Sequence, residues 1–222
     1  MSVTRLIAYQ YPKNCRASHH NMPVPNAPSL SEHKELYFKT QQTPLKDFEK
    51  KGLERTKWFT TEGQGYSGEH STKPQTLGYS LADSPIGLLA WVYEKLHDWT
   101  DDYPWTDEEI ITWISIYVFS TAGAAASIRN YYEAKHDTEG LSAKCASYIK
   151  DVKFGCARFP KELFQPPVEW NHTLGEVVLN SVYDKGGHFA AWERPDAIVK
   201  DLREMFGKNG GAYAVVQGRT GF

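Results

Sequence analysis

His188, in the stretch YDKGGHFAAWERPDAIVKDL (residues 183–202), is the residue best placed by its neighbours to do chemistry. Imidazole has an ordinary pKa of about 6.5, so it both takes and gives protons near neutrality. The two glycines before it permit close backbone approach and unusual dihedrals. A strand-like run precedes them and a Pro-started amphipathic helix follows, which places His188 on a strand-to-helix loop as a catalytic base. A base needs an orienting acid and something to activate. Asp184 is one candidate acid, but it lies so few residues before His188 that side-chain geometry is unfavourable.

Two other groups of residues invite a metal reading and do not sustain it. His19 and His20 are adjacent, and neighbours on a strand point to opposite faces. Asp101, Asp102, Asp107, Glu108 and Glu109 read as helix capping and a solvated face. No metal and no cofactor is expected.

The elements that must position His188 follow from the pattern. Residues 3–11 suggest a helix stopped by Pro12, and NCRASHHNM a short strand. Four prolines make residues 23–44 mostly extended, with a short helix near SEHKELYF. Residues 46–60 carry helical spacing through Phe48, Leu53 and Trp58. GQGYSGEHSTKPQTLGYSLADSP reads as turn-rich up to a helix start, where Ser84 caps and Pro85 takes the first position. Thr106 and Glu109 stand at capping-box spacing before an apolar helix that is expected to be deeply buried and to extend into AAASIRNYYEAKH. ASYIKDVKFGCARF and GEVVLNSVYDKGGH read as strands, PKELF as a turn or short helix, and PDAIVKDLREMF as a closing helix. The order is that of part of a parallel α/β sheet carrying a helical insertion. The Gly-rich tail carries little structural weight.

The chain is 41% hydrophobic and 23% charged, so it is neither disordered nor membrane-spanning in character. A formal net charge of -2 offers no electrostatic case for nucleic acid. Aromatics, at 14%, suit a large apolar interior or pocket. Three cysteines without metal spacing suggest reduced residues of an intracellular protein. The N-terminus has no secretory h-region, and a cytoplasmic location is expected.

TKPQTLGYSLADSPIGLLAWVYEKLHDW, SIRNYYE, FPKEL and GGHFAAWERP, in this order, resemble the epoxide hydrolases of the α/β-hydrolase fold, in their microsomal-type and fungal branch. The resemblance runs from about Val3 to Phe206. It implies core helix and strand over 1–25, a mostly helical lid over 26–140, core strands and helices over 141–206, and a tail over 207–222. It also implies a reaction. An aspartate opens the epoxide to an alkyl-enzyme ester, two lid tyrosines stabilise the emerging alkoxide, and a histidine oriented by a carboxylate activates the water that releases a diol.

By motif, the resemblance makes His188 the base, Glu162 the orienting acid, and Tyr66 and Tyr131 the lid phenols, with Tyr132 as the alternative to Tyr131. All four are expected to meet at one apolar cavity between lid and sheet. In this family the nucleophile precedes a helix resembling VTRLIAYQYP, so it would lie a few residues upstream of Met1, and the HG-x-P type loop is also absent. The chain therefore looks like the C-terminal part of such an enzyme and is expected to be inactive and poorly soluble by itself. Its partners would be a small apolar epoxide and water, with a homodimer left open. The alternatives are a non-catalytic remnant or interaction protein that keeps the lid and, less in keeping with a tyrosine pair, a dehalogenase or esterase.

Overall fold

Ten residues, Ile149–Arg158, form the central strand of a three-stranded parallel sheet in the computed structural model, which describes residues 2–219. In chain order the elements are α1 (Ser2–Gln10), β1 (Ala17–His20), α2 (Lys34–Gln42), α3 (Asp47–Trp58), α4 (Gly65–Thr72), α5 (Pro74–Asp83), α6 (Pro85–Asp98), α7 (Asp107–Phe119), α8 (Arg129–Lys135), α9 (Leu141–Ala146), β2 (Ile149–Arg158), β3 (Gly175–Val182), α10 (Ala190–Glu193) and α11 (Pro195–Phe206). A π-helical turn follows α3 over Phe59–Gly63, and a 3-10 turn spans Val168–Thr173. The chain divides into two units, one of residues 1–57 and 140–222 and one of residues 58–139. Residues 26–57, grouped with the lid on sequence grounds, share the unit that holds the sheet.

In the first unit β2 lies between β1 and β3, with Ser18 opposite Phe154, His20 opposite Cys156, and Phe154 opposite Val177. The run Phe154–Ala157 is buried without interruption, as expected of a parallel strand covered on both faces. Ala8 of α1 packs with Ile149 and Val152, while Ala157, Phe159, Ala190 and Ala197 form a second cluster. Arg5, 2% exposed, donates to the carbonyls of Cys145, Ser147 and Leu174, so one α1 side chain binds the entrances to β2 and β3. Among the described residues β1 pairs only with β2. Val3, Ile7, Tyr9 and Tyr11, on and just after α1, are exposed. Cys15, Cys145 and Cys156 form no disulfide with one another.

The second unit is helical, built on a cluster of Leu81, Leu88, Ile114, Ala124 and Ile128. Its helix starts follow local chemistry. Gly87 N–H donates to the Ser84 hydroxyl at 3.1 Å behind Pro85, and Thr106 and Glu109 close a reciprocal capping box. Among the described residues no helix is long and apolar enough to cross a membrane.

Four sequence expectations need correction. GQGYSGEHSTKPQTLGYSLADSP is not turn-rich but forms α4 and α5, with Pro74 opening the second. Proline is tolerated at a first helical position, so it divides two helices rather than preventing them. Helix α7 is not deeply buried: Ile114 is its buried residue, and Ile111, Ile116 and Phe119 are exposed. It also does not run on into α8, because the chain turns through Ser120 and Gly123, the latter at φ +76°. Finally, the tail contributes to packing. Ala212 is buried, and its N–H donates to the Met205 carbonyl at the end of α11.

Candidate active site

Glu162 and His188 are positioned by the ends of two adjacent strands. Beyond β2 the ring of Phe159 is fully buried, and Glu162 N–H turns back to the Phe159 carbonyl. Beyond β3, Tyr183 N–H donates to the Arg158 carbonyl at 2.9 Å, and Lys161 N–H to the Gly186 carbonyl at 3.1 Å. Lys161 and Gly187 form an isolated parallel bridge, which continues the β2–β3 pairing out to the neighbouring Glu162 and His188. Gly186 sits at φ +111°, and a Cβ there would come within 2.7 Å of the Phe159 ring. Glycine is therefore required both for the backbone conformation and for the close approach.

The result is a contact of 2.6 Å between His188 Nδ1 and Glu162 Oε1. Glu162 is almost wholly buried, while the His188 side chain is 24% exposed. The same carboxylate oxygen accepts from Leu163 N–H at 2.8 Å. An ionised carboxylate only accepts, so neutral His188 donates through Nδ1–H and keeps the lone pair on Nε2. That is the tautomer a general base requires, and the acid would also stabilise the imidazolium. Glu162 lies in a loop rather than at a helix start, and it, not Asp184, is the carboxylate on the imidazole.

Tyr66 and Tyr131 lie in the second unit, on α4 and α8. Their rings meet edge to face, with centroids 5.6 Å apart at 85°. Tyr132 instead stacks on His136 at 4.0 Å. Burial, and then the neighbouring Tyr131 hydroxyl, push the Tyr66 phenol well above its ordinary value, so it stays protonated and able to donate.

Sequence reasoning missed the groups around this pair. His70, one helical turn after Tyr66, touches both phenol rings, at 5.4 and 5.0 Å. The Lys95 ammonium lies over the rings of Tyr66, Trp91 and Trp99. Burial, followed by Lys95, lowers the His70 pKa and keeps it neutral. The i, i+4 spacing of Tyr66 and His70 would have revealed their contact had the segment been read as a helix.

His19 and His20 take separate partners. His19 Nε2 lies 3.0 Å from Asp201, and His20 Nε2 lies 3.0 Å from the Ser18 hydroxyl, its ring stacked on Phe154. Among the described residues no cluster of three or more His, Cys, Asp or Glu side chains is arranged to hold a metal ion.

No family model matches the sequence. Individual proteins do. A Stigmatella aurantiaca protein bearing an epoxide hydrolase name is 34% identical over 210 residues, covering 92% of this chain and 44% of that protein. Epoxide hydrolase 1 of Sus scrofa is 31% identical over 168 residues, 70% of this chain and 36% of its own length. The solved structure of Aspergillus niger epoxide hydrolase superposes with a TM-score of 0.72 at 35% identity, over 89% of this chain and 47% of that one. The chain thus spans about half the length, or less, of the relatives it matches.

Proposed function

Because this chain is homologous to the epoxide hydrolases and shares their α/β-hydrolase fold, we propose that its residues serve the hydrolysis of an epoxide to a vicinal diol through an alkyl-enzyme ester. In the first step a carboxylate attacks a ring carbon, the C–O bond breaks, and the oxygen takes a proton from Tyr66 or Tyr131. Phenols, with an ordinary pKa of about 10, donate to an alkoxide without ionising beforehand. In the second step Nε2 of His188 removes a proton from water and the hydroxide attacks the ester carbonyl. As the acyl C–O bond breaks, the departing diol oxygen takes the proton of the new carboxyl group, which regenerates the carboxylate, and the proton held by His188 passes to the phenolate left by the first step. Glu162 holds the imidazole in the required tautomer and balances its charge. The substrate class is a small apolar epoxide, with water as co-substrate.

The attacking carboxylate has no counterpart assigned among residues 1–222, and these residues alone are proposed not to turn over an epoxide. The observation that carries the reading is the 2.6 Å contact between His188 and Glu162 at paired strand ends. It is tested by grafting residues 1–222 in place of the matching segment of the Aspergillus niger enzyme and measuring diol formation from styrene oxide. Activity that disappears with His188→Ala is expected. A folded chimera whose activity is indifferent to His188 would overturn the assignment.

A further inference from the structure

Asp201 of α11 is fully buried, yet it is not part of the proposed reaction. A carboxylate removed from water is tolerated only when its oxygens are saturated with donors. Three side chains from outside α11 do this. Ser181 donates to Oδ1 at 2.7 Å, the Tyr183 hydroxyl donates to the same oxygen at 2.5 Å, and His19 Nε2 lies 3.0 Å from Oδ2. These groups come from β3, from the residue just after it, and from β1.

Tyr183 links this buried anion to the base and its acid. Its ring stacks on Phe159, centroids 5.1 Å apart and 11° from parallel, and its backbone N–H holds the Arg158 carbonyl. The backbone of Gly186 closes on the same Phe159 ring. Phe159 begins the segment that carries Glu162, and Tyr183 begins the loop that carries His188. Both segments are therefore clamped around one aromatic stack, and Asp201 fixes the hydroxyl end of that stack.

We infer that Asp201 is a positioning residue for His188, acting through Tyr183 to hold the Glu162 and His188 segments in register; the inference rests on reading those two residues as orienting acid and base. Burial, and then Asp201, push the Tyr183 phenol up to about 12, so it remains a donor throughout the working range of pH. The Tyr183 hydroxyl also lies 3.1 Å from the Ala197 carbonyl, which ties the same point to the first turns of α11.

The test is the tautomer of His188, read from long-range proton–nitrogen correlation spectra of the 15N-histidine-labelled chain. The unaltered chain is expected to show neutral His188 protonated at Nδ1. Asp201→Leu strips three donors of their acceptor and risks unfolding, so Tyr183→Phe, which keeps the ring stack and removes the hydroxyl, is the deciding variant. It is expected to yield a mixture of the two tautomers, whereas a merely structural role would lower the unfolding midpoint and leave the tautomer alone. That second outcome overturns the inference. Glu162→Gln is the reference. If it fails to disturb the tautomer, the pairing of acid and base itself is wrong; if it succeeds while Tyr183→Phe has no effect, only the role of Asp201 falls.

Discussion

His188 Nδ1 and Glu162 Oε1 are 2.6 Å apart although 26 residues separate them in the chain. Two parallel strand ends and one buried phenylalanine bring them together. Replacing Glu162 with Gln keeps the side-chain size but removes the negative charge that, in the proposed mechanism, orients His188 and balances its cation. In the chimera described above, ester hydrolysis is expected to slow by about 10²–10⁴-fold, the range typical of general acid–base contributions. Alkylation should proceed, so mass spectrometry during turnover should find the alkyl-enzyme accumulating. Slowed alkylation with no accumulated ester would contradict the role.

The edge-to-face pair of Tyr66 and Tyr131 leads to the complementary expectation. In the chimera, Tyr66→Phe and Tyr131→Phe should each slow ring opening and leave ester hydrolysis largely intact, because the proposed mechanism uses the phenols only while the alkoxide develops. Single-turnover measurements separate the two steps. Tyr132→Phe should have little effect on either step, since that ring stacks on His136. Unchanged alkylation in both of the first two variants would remove the pair from the mechanism.

His20 should make stability sensitive to acid. Burial, and then the charge of Arg5, lower its pKa from 6.5 to about 3. Between those values the unfolded chain binds a proton that the folded chain does not. The stabilisation is complete above pH 6.5 and is lost as pH falls toward 3. Between pH 7 and 4.5 this histidine should cost about 2–3 kcal/mol of folding free energy. Denaturant titrations at the two values, for the parent chain and His20→Phe, measure the difference. Equal pH sensitivity in both proteins would refute it.

Gly186→Ala should destabilise the first unit. The alanine would have to adopt φ +111° and bring its Cβ to 2.7 Å from Phe159, so neither backbone nor neighbour accommodates it. A cost of about 1–3 kcal/mol is expected from the backbone strain alone. The loop carrying His188 should shift with it. Chemical denaturation together with the His188 tautomer spectrum checks both parts, and an unchanged midpoint would show that the loop relaxes freely.

Features of this protein that depend on a few consecutive residues could be read directly from the sequence. Ser84–Pro85 and Thr106–Glu109 start helices where expected, because capping acts within one turn. The strand-like pattern of ASYIKDVKFGCARF and the Gly-Gly before His188 likewise pointed to a strand and to a loop of unusual backbone. The segment around Tyr66 misled, because its glycines and Pro74 resemble turn signals, while packing of α4 against α8 holds it helical. Helix α7 misled in the other direction: its composition suggested burial, but burial depends on which neighbours cover each face. Motif favoured Glu162 and Tyr131, but the contact of Glu162 rather than Asp184 with His188, the contact of Tyr131 rather than Tyr132 with Tyr66, and the enclosure of Asp201 by β1, β3 and Tyr183 are made by the tertiary structure. Each joins groups distant in the chain, and their separation is set by strand register and helix packing rather than by any local preference.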